Sequence, residues 1–113
     1  MYREFIRMPE FEKRWESIGL TEDDIVDLEY ALIINPNSGD IVEGTGGLRK
    51  FRWALPNRGK RGSIRVVYVD FVSFEKLYFI SAYTKDEKDN LTNTERSEIK
   101  RVIKKLRDDC RGR

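Results

Sequence analysis

Three strand-like runs are packed into residues 49–84, and they constrain the fold more than any other feature of the chain. From Arg49 to Leu55 the pattern alternates. Phe51, Trp53 and Leu55 fall on one side, Lys50 and Arg52 on the other, the mark of a strand with one buried face. Residues 56–63 hold two glycines and the cations Arg58, Lys60 and Arg61, and read as a hairpin loop. Ile64 to Phe71 is β-branched and aromatic, a good central strand interrupted by Arg65. Val72 to Lys76 reads as a turn, and Leu77 to Thr84 as a third strand. Connections this short predict antiparallel pairing.

The flanking segments predict helices. Phe5 to Met8 is apolar enough for a short opening strand, which Pro9 stops. Phe11, Trp15 and Ile18 share one face of a short helix that Gly19 ends. Thr21-x-x-Asp24 is a start signal for a second helix, with Ile25, Leu28 and Leu32 on its inner face and Asn35-Pro36 at its end. Gly39 to Gly47 is loop-like. Thr92-x-x-Glu95 is a capping box, and Ile99, Val102, Ile103 and Leu106 form the stripe of a last helix. The expected order is β-α-α-β-β-β-α. It predicts an α+β fold in one domain over residues 1–113, a small antiparallel sheet with helices packed on one face.

Composition removes much chemistry. The chain has no histidine and one cysteine, Cys110. Ser-His-Asp and Cys-His systems, histidine-bearing zinc sites and an intrachain disulfide are all excluded. With no leader-like or membrane-spanning apolar run, the expected setting is the cytoplasm. Net charge is +2, but it is unevenly spread. Residues 1–48 hold 4 basic and 11 acidic residues, residues 49–65 hold 7 basic and none acidic, and residues 66–113 hold 11 and 9. An acid-free stretch of this kind is either a polyanion-binding surface or a solvated basic face.

Phosphate-loop motifs fail. Gly44-x-Gly46 is followed by Arg49 where a dinucleotide fingerprint needs its third glycine, and no Gly-Lys-Ser/Thr follows. The glycines read as a turn into the strand. Metal-ligand spacing is absent, so neither metal nor cofactor is expected. The basic strand–loop–strand unit remains: Lys50, Arg52, Arg58, Lys60, Arg61 and Arg65, interleaved with Phe51, Trp53, Tyr68 and Tyr83. Cations set among stacking aromatics suit single-stranded nucleic acid. Phe51 and Trp53 read as core, while Tyr68 and Tyr83 are open between packing and function. A mid-strand Arg65 points either to a solvated sheet face or to a ligand.

Several motifs are similar to the HigB-like branch of the RelE/ParE toxin superfamily. They are Asn35-Pro36-x-x-Gly39-Asp40, Gly44-Thr45-Gly46-Gly47-Leu48-Arg49-Lys50-x-Arg52, Gly59-Lys60-Arg61-Gly62-x-x-Arg65-x-x-Tyr68 and Tyr83-x-Lys85-x-Glu87. The resemblance runs from about residue 5 to residue 107 and implies a type II toxin that cleaves mRNA on the ribosome without a metal. It implies a helix-turn-helix, HigA-like antitoxin as partner, and contact with operator DNA only through that antitoxin. It places family active-site positions at Lys50, Arg52, Arg65 and Lys85. Leu91 stands about where RelE carries a catalytic tyrosine.

Chemistry then distributes the roles. Arg65, helped by Arg52, suits the clamp on the transition-state phosphate. Lys60 or Lys85 would act as acid or base, with Tyr83 or Glu87 in reserve. Lys50, Arg52, Arg58, Arg61 and Tyr68 would hold RNA. Two other functions compete: a ParE-like gyrase inhibitor and a non-catalytic RNA- or protein-binding module.

Overall fold

The computed structural model describes residues 2–54, 63–85 and 90–112 of the chain. Its elements are β1 (Glu4–Arg7), α1 (Pro9–Ile18), α2 (Glu22–Ile34), β2 (Asp40–Ile41), β3 (Arg49–Ala54), β4 (Ser63–Phe71), a short 3-10 turn (Val72–Phe74), β5 (Lys76–Thr84) and α3 (Asn93–Arg111). The sheet order is β1-β5-β4-β3-β2.

Both expected capping boxes form. The Thr21 hydroxyl accepts from the Asp24 N–H at 3.2 Å, and the Asp24 carboxylate accepts from the Thr21 N–H at 2.9 Å. Thr92 and Glu95 repeat the arrangement at 3.1 and 2.8 Å. Each box satisfies N–H groups that a helix start leaves without partners. Gly19 ends α1 at φ 94°, a left-handed conformation that glycine adopts without strain.

The α+β class holds, and three details of the sequence reading are corrected. First, the sheet is mixed: β3, β4 and β5 pair antiparallel, but β1 lies parallel beside β5, with Phe5 opposite Leu77. The short-connection rule governs neighbours in sequence, and β1 reaches β5 only after the whole chain has folded back. Second, the two-residue β2 lies in the segment read as loop and pairs with β3. Third, helices cover both faces. On one face α1 and α2 bury Phe11, Trp15, Ile25, Leu28 and Leu32 against Trp53, Ile64, Val66, Tyr68 and Phe79. On the other, α3 buries Ile103 against Val67, Val69, Phe71, Tyr78 and Ile80. β4 is apolar at both parities, as a strand covered on both sides must be. Val102 is correspondingly no part of the α3 stripe but 40% exposed.

Aromatic rings tie the first face together. Phe5 stacks on Phe79, Phe79 on Phe11, Phe11 on Trp15 and Trp15 on Trp53, with centroids 5.7, 4.8, 5.1 and 6.0 Å apart. Offset stacking adds to the burial of such large rings. The N-terminal end of β1 is fixed by a fork: Arg3 donates to both carboxylate oxygens of Asp70 in β4, at 2.6 and 3.1 Å. That pairing holds the Arg3 guanidinium above its ordinary pKa.

Candidate nucleic-acid interface

Sheet register builds the site. Arg52 on β3 lies opposite Arg65 on β4, and Arg65 lies opposite Tyr83 on β5. Directly opposed residues share a face, so these three side chains form one row across the sheet. Lys50, Val67 and Ser81 form the next row. Both rows lie on the face that α3 covers farther along, where Val69, Phe71 and Tyr78 are buried. The cationic end of that face is thus continuous with a packed core.

Arg65 is 6% exposed, the mid-strand arginine that the sequence singled out. Its Nη1 donates to the Ser63 carbonyl at 3.4 Å, while Arg52 donates from Nε to the Ser63 hydroxyl at 3.2 Å. One serine thus receives both guanidinium groups. Two cations in opposed positions repel, and the repulsion grows as water is excluded. A bound anion between them would relieve it.

Tyr83 is nearly buried beside Arg65 and lines a cleft of about 450 Å³. The cleft lies between the starts of α1 and α3, beyond the point where β1 stops covering β5. Its floor is apolar, with Val67, Ile80, Leu91 and Ile99, and its rim carries Glu10, Arg14, Glu95 and Glu98. Arg14 reaches the sheet, donating to the Ala82 carbonyl at 3.2 Å. Sequence reasoning missed Arg14, Ser81 and the rim acids. Only the parallel β1–β5 pairing brings the start of α1 here, and nothing local in the sequence announces it.

The other expected site residues divide clearly. Lys50 is half-buried on β3, Arg52 is exposed, and Lys85 is exposed in the turn that leaves β5. Arg58, Lys60, Arg61 and Glu87 lie outside the described residues. Tyr68 is corrected. It is fully buried on the opposite face, where its hydroxyl donates to the Pro36 carbonyl at 2.7 Å and accepts from the Gly39 N–H at 3.0 Å. No base can stack on it. Burial, the strongest influence on it, raises the phenol above its usual pKa. Its parity with Ile64 and Val66 was the available signal. Arg49, of the Gly44–Arg52 motif, is also structural, donating to the Gly39 carbonyl at 2.6 Å.

The Gly44–Gly47 turn also proves structural. The glycines at 44, 46 and 47 all have positive φ. The buried Thr45 hydroxyl donates to the Val42 carbonyl at 2.6 Å and accepts from the Leu48 N–H at 3.0 Å. Arg107 of α3 donates to the Gly46 carbonyl at 3.3 Å. The turn thus leads into β3 and docks beneath α3.

Fold and site together define a small α+β protein whose sheet carries a row of two opposed arginines and a tyrosine. A family model described as the RelE toxin of the RelE/RelB toxin–antitoxin system matches residues 11–111, and the chain belongs to that family. Among solved structures, a double arginine-to-alanine mutant of the E. coli toxin RelE in the free state is similar in fold. It is 16% identical, with 78% of this chain and 88% of that chain covered and a TM-score of 0.54. The chain is therefore the toxin member of a type II toxin–antitoxin pair, and a cognate antitoxin is its partner. No helix among the described residues is long and apolar enough to cross a membrane.

Proposed function

We propose that this toxin is a ribosome-dependent mRNA endonuclease of the HigB-like branch, acting in the cytoplasm and restrained by a helix-turn-helix antitoxin. One observation carries the reading: Arg52, Arg65 and Tyr83 share a row on one sheet face. RNA cleavage by the neighbouring 2′-hydroxyl builds charge on the phosphate, and two planar, permanently charged forks suit that charge. Lys50 extends the cationic surface along β3. Tyr83 is best used neutral, donating to a phosphate oxygen, because an anionic phenolate at a buried position is costly. Lys85, exposed at the end of β5, and Lys60 are the groups assigned to proton transfer, and Arg58 and Arg61 to holding RNA.

The cleft supports a path for the strand. Three carboxylates on its rim repel phosphate. The backbone therefore follows Lys50, Arg52 and Arg65, and the apolar floor is left to an uncharged part of the nucleotide, a base.

A purified translation system tests the proposal. Wild-type chain should cut mRNA on programmed ribosomes, and Arg65→Ala should lose about 10²–10³-fold in rate, the loss expected when one transition-state donor is removed. Because Arg65 is buried, the exposed Arg52→Ala serves as the second variant, and thermal unfolding of both checks the fold. Intact message with folded wild type would refute the nuclease reading. Inhibition of gyrase supercoiling by the same preparation would assign the toxin to the ParE-like alternative.

A further inference from the structure

Helix α2 has two apolar faces, and only one is covered. Ile25, Leu28 and Leu32 are buried in the core, yet Val26 is 58% exposed, Tyr30 65%, Ile33 39% and Ile34 66%. These four fall at i, i+4, i+7 and i+8, a continuous stripe over the outer side of the helix. A scattered exposed apolar residue needs no explanation, whereas a contiguous apolar stripe marks an interaction surface. From Val26 to Ile34 the stripe spans nine residues, a rise of about 12 Å along the helix. That length matches two turns of a partner helix with its own i, i+3, i+4, i+7 anchors.

Charge selects the partner. Helix α2 contains no lysine or arginine. Asp23 and Asp27 are exposed one row from Val26 and Tyr30. The outer side of α1 adds exposed Glu12 and Glu16, with Lys13 as its exposed cation. A second copy of the same face would bring acids toward acids. An anionic lipid surface would be repelled. A helix carrying cations beside its apolar anchors would be attracted. We propose that the outer face of α2 is a docking surface for a basic, apolar-faced helix of a partner protein. This surface lies on the helical layer opposite the face that carries Arg52 and Arg65, and its occupancy does not depend on whether the chain cuts RNA.

The test uses the purified full chain and a synthetic amphipathic peptide of leucine and lysine, ~15 residues long so that it can form helix. A twin with glutamate in place of lysine is the control. In an isotope-labelled sample, the lysine peptide should shift the resonances of Val26, Tyr30, Ile33 and Ile34 while Lys50 and Arg52 stay put. The double variant Tyr30→Ser/Ile34→Ser, which changes only exposed side chains, should bind at least tenfold more weakly with unaltered thermal unfolding. Asp23→Asn/Asp27→Asn should weaken binding several-fold and flatten its salt dependence. Absence of binding, shifts centred elsewhere, equal affinity for the two peptides, or self-association of the wild-type chain through α2 in sedimentation would each overturn the proposal. Loss of mRNA cutting in a separate assay would bear only on the nuclease reading.

Discussion

A single phenol hydroxyl holds the segment between α2 and β2 against the sheet. Tyr68 serves Pro36 and Gly39 at once, so Tyr68→Phe leaves a buried N–H and a carbonyl unsatisfied. The expected cost is about 1–3 kcal/mol, read from urea unfolding. RNA cutting per folded molecule should be unchanged, because Tyr68 lies on the face away from Arg65. A variant as stable as wild type would show that the two backbone groups find other partners. Arg52 should behave in the opposite way. It faces Arg65 across the strand pair, and relief of like-charge repulsion is worth roughly 0.2–1 kcal/mol in a sheet. Arg52→Thr should therefore match or exceed wild-type thermal stability, with the gain largest at low salt, while cleavage falls. A clear loss of stability at every salt concentration would mean that Arg52 is a packing residue and not a ligand-waiting cation.

At the level of elements, α3 is fastened by few apolar side chains, with Ile103 fully buried at their centre. Ile103→Ala should cost about 2–5 kcal/mol, the range for truncating a buried aliphatic side chain. Hydrogen exchange should then show α3 opening before β3–β5. Uniform loss of protection would mean that α3 and the sheet form one cooperative unit. The existence of α3 was plain in the sequence, because its capping box and its 3.6-residue stripe are local signals. Its position was not. Which face a helix covers depends on the parity of distant strands, and the double-sided apolar run of β4 was the one hint. The same limit explains the site. Alternation placed Lys50 and Arg52 together and picked out Arg65 on β4, since parity is local. The neighbourhood of Tyr83 with Arg14 required β1 to reach β5, a long-range event. Tyr68 was misplaced because its identity suggested stacking while its parity already assigned it to the core.

Across the whole molecule, stability should fail in alkali through two tyrosines that the fold keeps protonated. Tyr78 is pushed up to about 12, first by burial and then by its contact with Cys110, whose Sγ lies 3.7 Å from the hydroxyl. Tyr68 is raised as well, chiefly by burial. In the unfolded chain both phenols ionise near 10. Above that pH the unfolded state has released protons that the native state still binds, so the stability of the native state falls as pH rises. The contribution of these groups is whole below pH 10 and drains as pH climbs through their folded values. Lys76, raised by its hydrogen bond to Glu4, acts in the same direction, so the overall decline alone cannot be credited to the phenols. Comparison of wild type with Tyr78→Phe separates them. The urea midpoint of wild type should fall steeply between pH 10 and 12, and that of Tyr78→Phe less steeply, since phenylalanine has no proton to lose. Parallel curves for the two proteins would show that Tyr78 titrates alike folded and unfolded, and that the face beneath α3 is open enough to hydrate its phenolate.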